Sequence, residues 1–137
     1  MKSFFFRKIS VAAGLAALIM FAGGCRTVAL DKQGEMEATY VAGEFRMLVN
    51  GTAPAAAAAT AAAFKQMGML QIQNSQQTYD ATLTARTPKD EKVAVKIAEV
   101  NSRQTMLRIR VDVLGNETFS RRLYEQIDKN LSSRGGW

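Results

Sequence analysis

Cys25 is the only cysteine in the chain, and there is no histidine. Those two facts remove most reactive chemistry. Zinc sites and Cys–His nucleophilic centres need imidazole or several thiolates together. A disulfide within one chain needs a second cysteine. No glycine-rich phosphate loop and no serine-centred elbow occurs. The carboxylates are scattered, most of them on expected solvent faces or in turns. Glu99 is the exception: it falls on the apolar face of its strand, opposite Tyr79, and is expected at the core margin in a hydrogen bond with that tyrosine. No catalytic residue, metal or cofactor is assigned.

What precedes Cys25 defines its chemistry. Met1 to Lys8 carries Lys2, Arg7 and Lys8 and no acid. Ile9 to Phe21 is a run of apolar residues with Gly and Ser, shorter than the roughly 20 residues a spanning helix needs. Ala22-Gly23-Gly24 are small. This is the order of a secretory signal: basic, apolar, small, cut. Phe21-Ala22-Gly23-Gly24-Cys25 resembles the bacterial lipobox, with Ala22 where Leu is usual. The resemblance implies cleavage before Cys25 and lipid on its thiol. Each buried acyl methylene adds about 0.8 kcal/mol to membrane binding. The alternative is cleavage by the ordinary signal peptidase, leaving a free thiol. Arg26 stands where an Asp would mark retention at the inner membrane. The expected location is therefore the cell envelope, lipid-anchored and facing the periplasm, with the outer membrane favoured.

The second group with chemical potential is cationic. Arg86, Lys96, Arg108 and Arg110, with Lys92, alternate with apolar residues on consecutive strands and share one expected face with Asp80 and Asp112. Most such faces are simply solvated. Lys96 nevertheless falls opposite Arg108, a like-charge pair that costs a little unless an anion lies nearby. Anionic lipid, a glycan phosphate or an acidic protein would serve. The pI near 9.8 is a weak pointer to nucleic acid, because half of the formal +6 leaves with Lys2, Arg7 and Lys8. The expected partners are the membrane and an envelope protein, with no nucleic acid and no metal.

At 137 residues the chain has room for one domain. Residues 1–24 read as the signal, 25–37 as the lipidated N-terminus and a tether, 38–131 as the domain, and 132–137 as a flexible tail. Phe45, Met47 and Val49 alternate with Glu44 and Arg46 in a half-buried strand ended by Asn50-Gly51. Thr52 or Ala53 caps a helix with Pro54 in its first turn, running through the alanines to Met67, with Gly68 at its end. Ala57, Ala61, Phe64 and Met67 make its expected inward stripe. Leu70 and Ile72 alternate in a short strand.

Tyr79 to Ala85, Val93 to Ile97 and Leu107 to Val113 then place every odd-numbered apolar residue on one face of an antiparallel meander. Its expected register pairs Arg86 with Lys92, Leu83 with Val95, Ile97 with Leu107 and Val100 with Gln104. A slip of one residue would expose a whole apolar set. Asn116 caps a closing helix with the stripe Phe119, Leu123, Ile127 and Leu131. The expected architecture is α+β, two-layer, an antiparallel sheet with two helices packed on one face.

This order, the Tyr40-Val41-Ala42-Gly43-Glu44 opening and the Gly115-Asn116-Glu117…Ser120…Leu123…Ile127 ending resemble an uncharacterised family of small bacterial lipoproteins, a domain of unknown function. The resemblance spans roughly Ala38 to Leu131. It implies the lipoprotein class and the fold, and carries over no site residue. Three function classes follow, in order: a non-catalytic envelope lipoprotein that binds a protein or stabilises an assembly; a carrier of an apolar or lipid ligand between helix and sheet; and an enzyme.

Overall fold

The computed structural model describes residues 26–29 and 37–134. The expected signal and Cys25 lie outside the described residues. Seven strands and two helices follow one another as β1 (Arg26–Ala29), β2 (Glu37–Val41), β3 (Glu44–Asn50), α1 (Ala53–Gln66), β4 (Leu70–Gln76), β5 (Asp80–Arg86), β6 (Lys92–Asn101), β7 (Gln104–Val111) and α2 (Glu117–Arg134). The strands form one antiparallel sheet in the order β1-β2-β3-β7-β6-β5-β4. α1 packs over β4, β5 and β6, and α2 over β3 and β7. This is the α+β two-layer fold.

The register of the meander follows its hydrophobic pattern. Arg86 pairs with Lys92, Leu83 with Val95, Ile97 with Leu107 and Val95 with Ile109. The odd-numbered residues Leu83, Val93, Val95, Ile97, Leu107, Ile109 and Val111 are buried beneath the helices, joined by Phe45, Phe64, Leu123 and Ile127. Phe45 meets Tyr124 at a ring separation of 5.8 Å, tilted by 45°.

The alanine helix buries more than one stripe. Ala53, Ala56, Ala57, Ala59, Ala63 and Phe64 are wholly inaccessible, whereas Ala61 and Met67 are half-buried. The expected stripe was too narrow because α1 lies against α2 as well as the sheet. Small side chains permit both approaches. Asn130 donates to the Ala59 carbonyl at 3.1 Å and to Gln66 Oε1 at 2.9 Å, tying α2 to α1. Asn116 Oδ1 accepts the Phe119 N–H at 3.0 Å, which is the N-cap of α2.

Several expectations need correction. Arg26 to Ala29 is not tether but an edge strand, paired with Tyr40 to Glu37; a free β2 edge and β-favouring Thr27 and Val28 suffice to recruit it. Residues 132–134 belong to α2 rather than to a tail. β7 stops at Val111, because Asp112 turns into the left-handed region (φ 55°). Val113 therefore leaves the sheet and is 81% exposed. Leu70 and Ile72 of the expected short strand are both exposed. Pairing with Arg86 puts Leu70 on the uncovered face, and Ile72 falls within a bulge between Gln71 and Gln73. Another bulge, between Glu99 and Asn101, makes Asn101 rather than Val100 the partner of Gln104.

Candidate functional site

Both helices cover one face of the sheet, so the even-numbered residues of β5, β6 and β7 form an uncovered outer face. Thr82 pairs with Lys96, Lys96 with Arg108, and Arg108 with Arg46. Three cations thus stand side by side in one transverse row across β6, β7 and β3. Strand spacing holds their backbones about 5 Å apart, and like charges directly opposite are unfavourable. One row nearer the β2–β3 turn, Ala94 pairs with Arg110 and Arg110 with Glu44. On the other side of the cation row lie Asp80, Ala98, Met106 and Leu48.

Compensation within the face is partial. Arg46 Nε donates to Glu44 Oε1 at 2.6 Å. Arg110 donates to the Ala42 carbonyl at 3.0 Å. Arg86 is taken up by its own turn, donating to Asp90 Oδ1 at 2.8 Å. Lys92, Lys96 and Arg108 make no ion pair among the described residues. They are also exposed.

Ala94 and Ala98 flank Lys96 along β6, and the missing side-chain bulk opens two shallow grooves of about 270 Å³ each. One is bordered by Asp80, Thr82, Lys96, Ala98 and Arg108. The other is bordered by Lys92, Ala94, Arg110, Asp112 and Val113. Each groove combines an apolar floor with two cations and one carboxylate at its walls, Asp80 in the first and Asp112 in the second.

All four cations singled out in the sequence lie on or at the rim of this face. Lys96 and Arg108 adjoin, Arg110 is one row away, and Arg86 is held apart by Asp90. Arg46, expected only on the polar face of its strand, is a further member. It joins the row through the pairing of β3 with β7, a contact between segments distant in the chain that no local pattern announces.

Glu99 has a different part from the one expected. Its backbone N–H does meet the Tyr79 carbonyl, at 2.8 Å. Its carboxylate instead accepts the Ala53 N–H at 3.1 Å, and Tyr79 is 68% exposed. α1 has no acid in its first turn, and Thr52 makes no side-chain cap. Glu99 supplies that missing acceptor and negative charge from β6.

The two segments that carry the family resemblance meet in space. A methyl group on Gly43 would lie 2.7 Å from the Leu114 carbonyl oxygen, and one on Gly115 would strike the Gly43 backbone and the Tyr40 hydroxyl. Both glycines have positive φ, 78° and 81°. The β2–β3 turn and the β7–α2 connection are therefore locked backbone to backbone. Beside this corner Val113 and Leu114 are 81% and 90% exposed.

Among the described residues no cluster of three potential metal ligands occurs, and no helix is long and apolar enough to cross a membrane. A family model described as "Protein of unknown function (DUF3568)" matches residues 8–130. A search of curated proteins finds no match.

Proposed function

Since the chain belongs to the DUF3568 family of proteins of unknown function, we propose its role from its own chemistry: a non-catalytic bacterial cell-envelope lipoprotein, anchored through lipid on Cys25, whose α+β domain is an interaction or assembly module. The observation that carries this reading is the sole cysteine, placed directly after a basic, apolar and small-residue sequence. The family match begins at residue 8, so it takes in the apolar run and Cys25 together with the folded domain. Arg26 rather than Asp after the cysteine favours the outer membrane, with the domain facing the periplasm. The binding surface in this reading is the uncovered sheet face, where Lys92, Lys96 and Arg108 lack ion-pair partners among the described residues.

A carrier of apolar ligands would need space between α1 and the sheet. Ala56, Ala57, Ala63 and Phe64 are packed there to zero exposure against a helix-covered face that includes Leu83 and Val95. The outer face is the better surface.

Mass spectrometry of the protein purified from membranes tests the anchor. The expected result is a mature chain beginning at an acylated Cys25, and loss of that modification in Cys25→Ser. A mature N-terminus elsewhere, with Cys25 unmodified, would overturn it.

A further inference from the structure

The start of β1, an exposed apolar tip and the cationic face converge on one end of the sheet. β1 pairs Arg26, the residue that follows Cys25 in the sequence, with Tyr40. Tyr40 reaches Gly115, and Gly43 abuts Leu114. The Val113–Leu114 tip therefore belongs to the same corner as the start of β1. Behind the tip, Val113 borders the groove that also holds Lys92, Ala94 and Arg110. Beyond that groove comes the row Lys96, Arg108 and Arg46.

We propose that this corner and the cationic face behind it dock on a bilayer containing anionic phospholipid, with Val113 and Leu114 entering the headgroup region. Two observations select a membrane over other anionic partners. The first is charge: Lys92, Lys96 and Arg108, which make no ion pair among the described residues, attract anionic headgroups, each worth roughly a factor of five in binding. The second is the length of the leash. With β1 starting at the residue after Cys25, a lipid there holds the corner at the bilayer, where an exposed Val–Leu pair would otherwise stay in water at a cost. An acidic protein partner would use the charges and leave the tip unexplained. This inference rests on the lipid-anchor reading for the way the corner is delivered.

The test uses the full chain, purified from membranes and reconstituted into vesicles. Trp137→Phe removes the only tryptophan, and Leu114→Trp or, separately, Val113→Trp places a reporter on the tip. Both positions are exposed, so neither variant disturbs the core. In vesicles of phosphatidylcholine mixed with phosphatidylglycerol, the indole emission should shift to the blue and be quenched by brominated lipid. In phosphatidylcholine alone both effects should be small. Adding Lys96→Gln and Arg108→Gln should each cut docking by roughly fivefold, and 1 M salt should weaken it as the Debye length falls to about 3 Å. An indole exposed to water in both vesicle types, or equally shielded in both, would overturn the proposal. Mass spectrometry of Cys25 on the same sample separates the two readings. A shielded indole on a chain without lipid would sink the anchor and leave the docking surface standing.

Discussion

Glu99 keeps its expected face and changes its partner, because Tyr79 lies just outside β5 and is exposed while the Ala53 N–H is in reach. Alternation along β6 correctly put it on the inner face, and its carboxylate serves the N-terminus of α1, where an acceptor is missing. Glu99→Ala should cost about 0.5–2 kcal/mol, the range for removing a helix cap, read from denaturant unfolding. Glu99→Gln keeps an acceptor and should cost less.

Tyr124 gives a pH signature. Burial first, then the nearby carboxylates of Asp128 and Glu125, push its hydroxyl up to about 12. The folded state thus holds the phenolic proton more tightly than the unfolded chain, whose tyrosines titrate near 10. Its stabilising contribution is complete below pH 10 and is lost as pH rises towards 12. Tyr124→Phe should flatten the fall in melting temperature across that window. An unchanged alkaline slope would show that Tyr124 does not set it. Arg46 marks where local reading stops. Its face was legible, but its neighbours Arg108 and Lys96 depend on which strand lies beside β3.

At the scale of elements, the meander could be read because three amphipathic strands separated by short turns have few registers that bury every apolar side chain together. Ile109→Ala should therefore cost about 2–5 kcal/mol, measured by urea denaturation. Arg108→Thr is a contrasting case. It removes a like charge from between Lys96 and Arg46 and substitutes a good strand former, so stability should stay the same or rise by a few tenths of a kcal/mol. A loss of more than about 1 kcal/mol would mean that Arg108 is held by compensation within the fold. Edge strands were harder to read. β4 is exposed along its length, so its Leu–Gln alternation marks no buried face; its register with β5 decides where Leu70 points. β1 is too short to carry a period at all. Its pairing depends on the open edge of β2, which no pattern within Arg26 to Ala29 reveals.

The described residues are asymmetric: helices and apolar core lie on one side of the sheet, and on the other are cations of which Lys92, Lys96 and Arg108 make no ion pair among those residues. Screening should consequently strengthen the fold. Raising salt from about 0.01 M to 0.15 M shortens the Debye length from roughly 30 Å to 8 Å and should raise the melting temperature of the wild type. The rise should be smaller in Arg108→Thr. The two-layer architecture was legible because each amphipathic element announces one face, and two helices with one sheet leave few ways to bury those faces. The start of β1 at Arg26 was not. It puts a strand where a flexible tether was expected, so a lipid on Cys25, as proposed, would keep the domain close to the anchoring surface.

The contact between Gly43 and Gly115 bears on ancestry. Most packed pairs can drift together, one side chain shrinking as its partner grows. Here neither position can accept even a methyl, since each would strike the other's backbone or its immediate neighbour, and positive φ disfavours any side chain there. A change at one glycine has no compensating change at the other. The two positions should stand still while the surrounding strands diverge, so a distant descendant of this fold would be recognised by two immobile glycines, one just before β3 and one just before α2, more readily than by any resemblance in its core.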